Sequence, residues 1–305
     1  MSEVGGPKRG LMNIGEEAKP PFAVLPDPQT LFLARSKRLD ALASEHQLAP
    51  YLKFLATLTL AQHEILSDLP AAVLPPSQRI GQALEHGMPP VSRALFEVQG
   101  APEATLDKLL VRLAAGQHPA QTAAAIQALQ SASPEQRRVA MRDALKEAKP
   151  SADIAQSTVV AAALQVHFAR LVAMLVADDL KPVADGACPT CGSAPMTSSV
   201  VGWPKAHNTR FCTCSLCATM WHVVRVKCVL CSTTGGIGYV TIEGQSGNVK
   251  AETCDTCRSY VKILYQVNDP VLEPLADDVA TLGLDMLLAE EGWKRGGQNP
   301  FLMGY

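Results

Sequence analysis

The sequence predicts an α+β chain: an N-terminal all-α domain, two small four-cysteine modules in tandem, and a C-terminal helix. Three observations carry that reading. The first half is rich in Ala and Leu, is punctuated by proline at helix starts, and has few strand signals. All nine cysteines fall between 188 and 257, and eight of them form two copies of one pattern offset by 40 residues. From Asp269 onward the apolar residues return to helical spacing.

Residues 1–26 are rich in Gly and Pro and read as an irregular arm, ordered where Phe22, Val24 and Leu25 can dock. Asp27 before Pro28 supplies an N-cap and a first helical position, opening a helix with Leu31, Phe32, Leu39 and Leu42. Pro50 opens a second, whose Leu52, Leu55, Leu58, Ile65 and Leu66 give a broad apolar face. Shorter helices are predicted near 77–86, 90–98, 102–115, 119–131 and 134–147, punctuated by Pro89, Pro102, Pro119 and Pro134. Thr158 to Ala177 is apolar and long enough to raise a transmembrane reading. Gln165, His167 and Arg170 lie inside it, however, and a mid-membrane Arg costs roughly 2.5–3.5 kcal/mol. A long helix at the centre of an α-bundle is the better fit, with His167 and Arg170 as core-edge residues holding hydrogen-bond partners. His46, His63, His86 and His118 show no ligand spacing among themselves.

The cysteines carry the chemistry. Cys188, Cys191, Cys214 and Cys217 recur as Cys228, Cys231, Cys254 and Cys257, each set being Cys-x-x-Cys, a gap of 22 residues, and Cys-x-x-Cys. A two-residue gap lets both thiolates of one knuckle reach the same ion, and two knuckles complete a tetrahedron, as in rubredoxin-like and zinc-ribbon-like modules. Disulfides are the competing reading, but they suit small secreted chains rather than 305 residues whose N-terminus has no apolar signal region. Two metal ions per chain are therefore expected. The spacing does not separate zinc from a single iron, since a tetrahedral sulfur cage suits both. Cys212 stands outside the repeat, whose register puts Glu252 at its counterpart; it reads as a buried structural thiol or as a spare ligand.

Met220 to Val226 and Tyr260 to Tyr265 read as strands. The segments 192–213 and 232–253 read as flexible ribbon loops. Only ten residues, Ala218 to Lys227, separate the modules, so close packing is expected. The partition is an arm over 1–26, a helical domain over 27–182, metal modules over 183–224 and 225–268, and a C-terminal helix and tail over 269–305. The last helix carries Leu272, Leu275, Val279, Leu282 and Met286 as its stripe and ends at Gly292. Its other face, with Glu273, Asp277, Asp278, Asp285, Glu290 and Glu291, reads as solvated.

Charge limits the partners. The chain carries −2 overall, which argues against a polyanion binder. Residues 186–265 hold seven Lys or Arg against three acids, an excess that eight thiolates around two divalent ions cancel. A zinc-ribbon regulator of nucleic acid needs a basic, aromatic face, and Trp203, Arg210 and Phe211 offer only a start. A rubredoxin-like electron carrier is a further alternative, although it would not need some 180 residues of helical scaffold. No nucleophile with an adjacent base can be read, so the chain is not read as an enzyme and no catalytic residue is assigned. The apolar stripes serve a monomer core or a self-association seam equally well.

The stretch Cys188-Pro-Thr-Cys191-Gly-Ser, Cys214-Ser-Leu-Cys217, and Trp221-His222-Val-Val-Arg225-Val-Lys227-Cys228 resembles the FdhE family of formate dehydrogenase accessory proteins. The likeness continues in Glu252-Thr-Cys254-Asp-Thr-Cys257, Tyr260-Val-Lys262-Ile-Leu-Tyr265 and Asn299-Pro-Phe-Leu302. It reaches the helical half in Leu25-Pro-Asp27-Pro and Pro50-Tyr-Leu-Lys-Phe54. The resemblance implies a cytoplasmic maturation factor that binds the catalytic subunit of respiratory formate dehydrogenase before export. It also implies rubredoxin-like iron at the eight repeated cysteines, with zinc as a substitute. Neither nucleic-acid binding nor membrane insertion is expected.

Overall fold

The computed structural model describes residues 20–98, 102–146, 153–244 and 246–302; most of the expected N-terminal arm and the last three residues lie outside these. The helical half comprises α1 (Pro28–Leu42), α2 (Ala49–Glu64), α3 (Ser77–Glu85), α4 (Pro102–Ala114), α5 (Ala120–Ser131), α6 (Pro134–Ala144) and α7 (Ile154–Val172). Local chemistry sets several of their starts. Asp27 accepts from Gln29 N ahead of α1, and Ser133 and Gln136 form a reciprocal capping box at α6. Asp153 caps α7 by accepting from Gln156 N. The segment expected as a helix near 90–98 is a 3-10 helix, Arg93–Val98, kinked at Leu95.

Helix α7 is the bundle's axis, with Thr158 through Ala169 all buried. Its polar residues are matched from within the bundle: Gln62 on α2 donates to Ala162 O at 2.8 Å and to Gln165 Oε1 at 3.3 Å. No helix among the described residues is long and apolar enough to cross a membrane. Arg170 donates to Pro70 O, but His167 departs from expectation, because its buried Nε2 has no hydrogen-bond partner among the described residues. The ring packs edge-on to Phe168 at 5.6 Å. Burial, with Arg170 next, pushes the imidazole down to about 4. A proton titration of its ring followed by NMR should therefore show a neutral histidine throughout pH 5–8; a midpoint near the usual ~6.5 would place it in solvent. The unfolded chain takes up this proton first, so stability is complete above about 6.5 and falls as pH drops toward 4.

The remaining strands are β1 (Ala23–Val24), β2 (Pro195–Val201), β3 (Thr209–Cys214), β4 (Met220–Val223), β5 (Ile237–Val240), β6 (Val249–Cys254), β7 (Ser259–Leu264) and β8 (Lys294–Arg295). They form one sheet in the order β1-β4-β3-β2-β7-β6-β5, with β8 beside β7. The two modules are thus successive three-stranded units, β4-β3-β2 and β7-β6-β5, fused by the parallel pairing of β2 with β7 from Thr197↔Lys262 to Ser199↔Leu264. The expected loop 192–213 is largely β2 and β3, and every residue of β2 is buried, so it is no flexible ribbon. In 232–253, β5 and most of β6 likewise replace loop. The arm contributes β1, which pairs with β4 at Ala23↔Trp221 and Val24↔Met220.

The C-terminal helix is two helices, α8 (Pro274–Ala280) and α9 (Leu282–Glu290), broken at Thr281. The break has a use, since Lys262 Nζ donates to Thr281 O and Oγ1, both at 3.0 Å. The acidic face expected in solvent is mostly buried. Asp278 is fully buried and Asp277 and Asp285 nearly so, whereas Glu290 and Glu291 are exposed. Lys262 and Arg295 each bridge Asp278 and Asp285, and Arg38 and Arg35 on α1 pair with Asp277 and Glu273. Burial alone would raise the Asp278 carboxyl, but Arg295 and Lys262 outweigh it and hold the group below the usual carboxylate range. Met286, assigned to the apolar stripe, is instead 54% exposed.

Beyond α9 the chain runs through β8 into the gap below β2. A Cβ at Gly297 would sit 1.7 Å from Pro195 O, so only glycine passes there. Phe301 then enters the main core, where Tyr51 of α2 donates to its carbonyl. That core is continuous from the bundle helices to Cys188, Cys191, Cys214 and Cys217.

Candidate metal centres

Each module closes two knuckles at one end of its strands. In the first, Cys188 N donates to Ser193 O and Gly192 N to Cys188 O; in the second, Cys228 N donates to Thr233 O and Ser232 N to Cys228 O. The residue after each knuckle's second cysteine enters the left-handed region at three of these turns besides Cys231: Gly192 at φ 80°, Ala218 at φ 61° and Arg258 at φ 54°, with Ser232 following Cys231 at φ 62°. Three of the four carry a side chain there, a strain of roughly 1–2 kcal/mol each that the knuckle geometry imposes.

The eight repeated cysteines gather as the spacing predicts: Cys188, Cys191, Cys214 and Cys217 form one group, and Cys228, Cys231, Cys254 and Cys257 another. Within each group the sulfurs lie within 4.8 Å of one another. In the first, Cys188 and Cys217 are 3.6 Å apart and Cys191 and Cys214 3.4 Å; in the second, Cys228 and Cys257 are 3.8 Å apart and Cys231 and Cys254 3.7 Å. A tetrahedral ion with metal–sulfur bonds near 2.3 Å sets its ligand sulfurs about 3.8 Å apart, whereas a disulfide needs about 2.05 Å. All nine cysteines are free.

The electrostatics of the first group also fit a cation. Burial pushes the Cys191 and Cys214 thiols well up. At Cys217 burial acts the same way, but hydrogen bonds from Cys188, Cys191, Cys214 and Thr190 overcome it and draw the group well down. Burial opposes four thiolates side by side in one pocket, and a positive ion is what would offset their charge. Backbone N–H groups of Leu216 and Cys217 point at Cys214 Sγ, both at 3.4 Å.

Cys212 lies outside both groups. It is wholly buried on β3, and burial pushes its thiol up to about 12, which makes it a packing residue in this arrangement. Three hydroxyls around the first group escaped the sequence reading: Thr190, Ser193 and Thr219, each two residues after a cysteine. That i+2 placement is the signal that would have found them.

A helical scaffold fused to a sheet that carries two four-cysteine clusters, one inside the main core, defines a class of protein with two sites that could each bind a metal ion. Sequence models of one family match nearly the whole chain: "FdhE, N-terminal" over 20–185, "FdhE, central domain" over 187–225, and "FdhE, C-terminal domain" over 226–302. The chain belongs to the FdhE family. It is 42% identical over 296 residues to the Protein FdhE homolog of Rhizobium meliloti (strain 1021), covering 96% of each chain. It is 33% identical over 288 residues to the Protein FdhE of Escherichia coli O9:H4 (strain HS), covering 92% of this chain and 91% of that one. The crystal structure of the FdhE protein from Pseudomonas aeruginosa superposes with a TM-score of 0.82 at 32% identity, covering 93% of this chain and 99% of that one.

Proposed function

We propose that this chain is a cytoplasmic maturation factor for formate dehydrogenase, acting by binding its catalytic subunit before export rather than by catalysis. Each cluster holds one metal ion, through Cys188, Cys191, Cys214 and Cys217 in the first and Cys228, Cys231, Cys254 and Cys257 in the second. Rubredoxin-type iron is the occupant the family resemblance favours, and zinc is the alternative the same cage accepts. The observation that carries this reading is the match to the FdhE family along nearly the whole chain, with both four-cysteine clusters assembled.

In this reading the helical unit over 27–182 is a scaffold. The modules over 183–224 and 225–268 present the metal-bearing edge to the client, and the segment over 269–305 ties them to the bundle. The nucleic-acid alternative loses two of its three residues, since Arg210 and Phe211 are fully buried.

The test is anaerobic affinity purification from formate-respiring cells, comparing the wild type with a Cys228→Ser/Cys231→Ser variant. A formate dehydrogenase catalytic subunit should accompany the wild type and be lost with the variant. Recovery of nucleic acid, or of a redox partner alone, would overturn the maturation reading.

A further inference from the structure

One repeat builds both clusters, yet their surroundings differ in three independent ways. The first difference is exposure. All four cysteines of the first cluster are buried, whereas in the second Cys231 is exposed and Cys257 half-buried.

The second difference is in the hydroxyls that surround the sulfurs. Thr190 Oγ1 lies 3.1 Å from both Cys188 Sγ and Cys217 Sγ, Thr219 Oγ1 lies 3.2 Å from Cys217 Sγ, and Ser193 Oγ lies 3.4 Å from Cys191 Sγ. The 40-residue register carries these positions onto Leu230, Ser259 and Thr233. Leu230 has no hydroxyl, Ser259 donates to Cys257 O at 3.1 Å, and Thr233 accepts from Gly235 N at 3.3 Å. Among the described residues no side-chain hydroxyl reaches a sulfur of the second cluster.

The third difference is in what clasps the knuckles. The helical half holds both knuckles of the first cluster: Val91 N donates to Thr190 O at 2.9 Å, Arg93 N to Cys191 O at 3.0 Å, and Gln165 Nε2 on α7 to Ser215 O at 2.9 Å. The helical half makes no such backbone bond to the second cluster's knuckles among the described residues: Lys294 N of the C-terminal segment donates to Arg258 O at 3.0 Å, and an open cavity of about 190 Å³ lies alongside, its wall including Cys228, Ser232, Lys227 and Val224.

Hydrogen bonds to a ligating sulfur offset its charge and hold it in place, while an exposed sulfur is the one an external group reaches. We propose that the two clusters have separate tasks: the first is a closed structural centre, and the second is an exchange centre whose metal passes to or from an external soft-donor ligand, such as a thiolate, by displacement of Cys231. This rests on the metal-binding reading above. In the exchange step a bond forms between the incoming thiolate and the metal as the Cys231–metal bond breaks. Cys231 leaves as a thiolate and takes a proton from water, and the metal's oxidation state is unchanged.

The test uses the full chain loaded anaerobically with two zinc ions. An excess of the chromogenic chelator pyridylazoresorcinol reads metal release, and brief iodoacetamide labelling with mass spectrometry reads which thiols open. Release should come in two phases of one ion each, separated by at least about tenfold in rate. Cys231 should be alkylated ahead of Cys188, Cys191, Cys214 and Cys217. Thr190→Val, which removes a hydroxyl and little volume, should speed the slow phase and leave the fast one unchanged. A single phase, or labelling of the first cluster first, overturns the proposal even if Thr190→Val fails to fold. A chain that never holds two zinc ions overturns the metal-binding reading itself.

Discussion

Replacing Cys191 with serine should abolish the folded state, whereas Cys231→Ser should leave a cooperatively folded protein holding one metal ion. The difference follows from where each cluster sits. Structural zinc contributes about 10–16 kcal/mol of apparent free energy at neutral pH, against a net stability of about 5–15 kcal/mol for a whole domain. Cys191 is wholly buried in the core that runs through the helical bundle, and its carbonyl accepts from Arg93 N, so losing the ion proposed there would open the wall of that core. Cys231 is exposed, and the separate apolar cluster of its module contains only Ala251, Tyr260, Leu284 and Leu288 as buried members. The buried ion pairs of Lys262 with Asp278 and Asp285 join β7 to α8 and α9 without using a cysteine. Soluble yield, metal content by mass spectrometry and the thermal transition followed by circular dichroism report the outcome. Two bound ions and a parental melt in both variants would show that these sulfurs are not ligands.

What was legible in the sequence was what is encoded locally. The Asp27-Pro28 start, the Ser133 capping box and the long apolar run of α7 each depend on residues a few positions apart, so helix positions could be read directly. The eight ligand candidates were legible because a knuckle is a short-range device and the repeat states it four times. What was missed depends on distant partners. The acidic face of α8 and α9 looked solvated because its cations come from α1, β7 and β8: Arg38, Lys262 and Arg295. Strand β2 looked like loop because Thr197, Ser198 and Ser199 stand at its centre, yet all three are fully buried where β3 and β7 flank them. Polar residues in a strand covered on both sides give no alternation to read. Strand β1 is two residues long and exists only because β4 offers an edge.

The same nonlocality sets the second large effect, at the junction of the modules. Arg210 on β3 should be the costliest charged side chain to remove: Arg210→Met is expected to lose about 3–5 kcal/mol, because it leaves the Glu252 carboxylate buried without its partner. The pair is bidentate, with Arg210 Nη1 to Glu252 Oε2 at 2.8 Å and Nη2 to Oε1 at 2.9 Å, and side-chain exposures of 0% and 3%. Arg210 Nε also donates to Ser198 Oγ at 3.0 Å, and Nη1 reaches Arg225 O in the segment between the modules at 3.2 Å. One guanidinium therefore ties β3, β2 and the connecting segment to β6. Here the repeat has diverged: the register pairs Arg210 with Lys250, which stacks over Tyr265 at 5.3 Å, and Cys212 with Glu252. Removing both charges should be milder than removing one. In Arg210→Met/Glu252→Leu the uncompensated carboxylate is gone, and the remaining cost is the lost donors to Ser198 and Arg225 and the lost acceptor of Tyr239. Urea denaturation of the two single variants and the double, at fixed metal load, should give a coupling energy of at least about 2 kcal/mol. Additive losses would mean that the two side chains act separately and that their ion pair does not couple the modules.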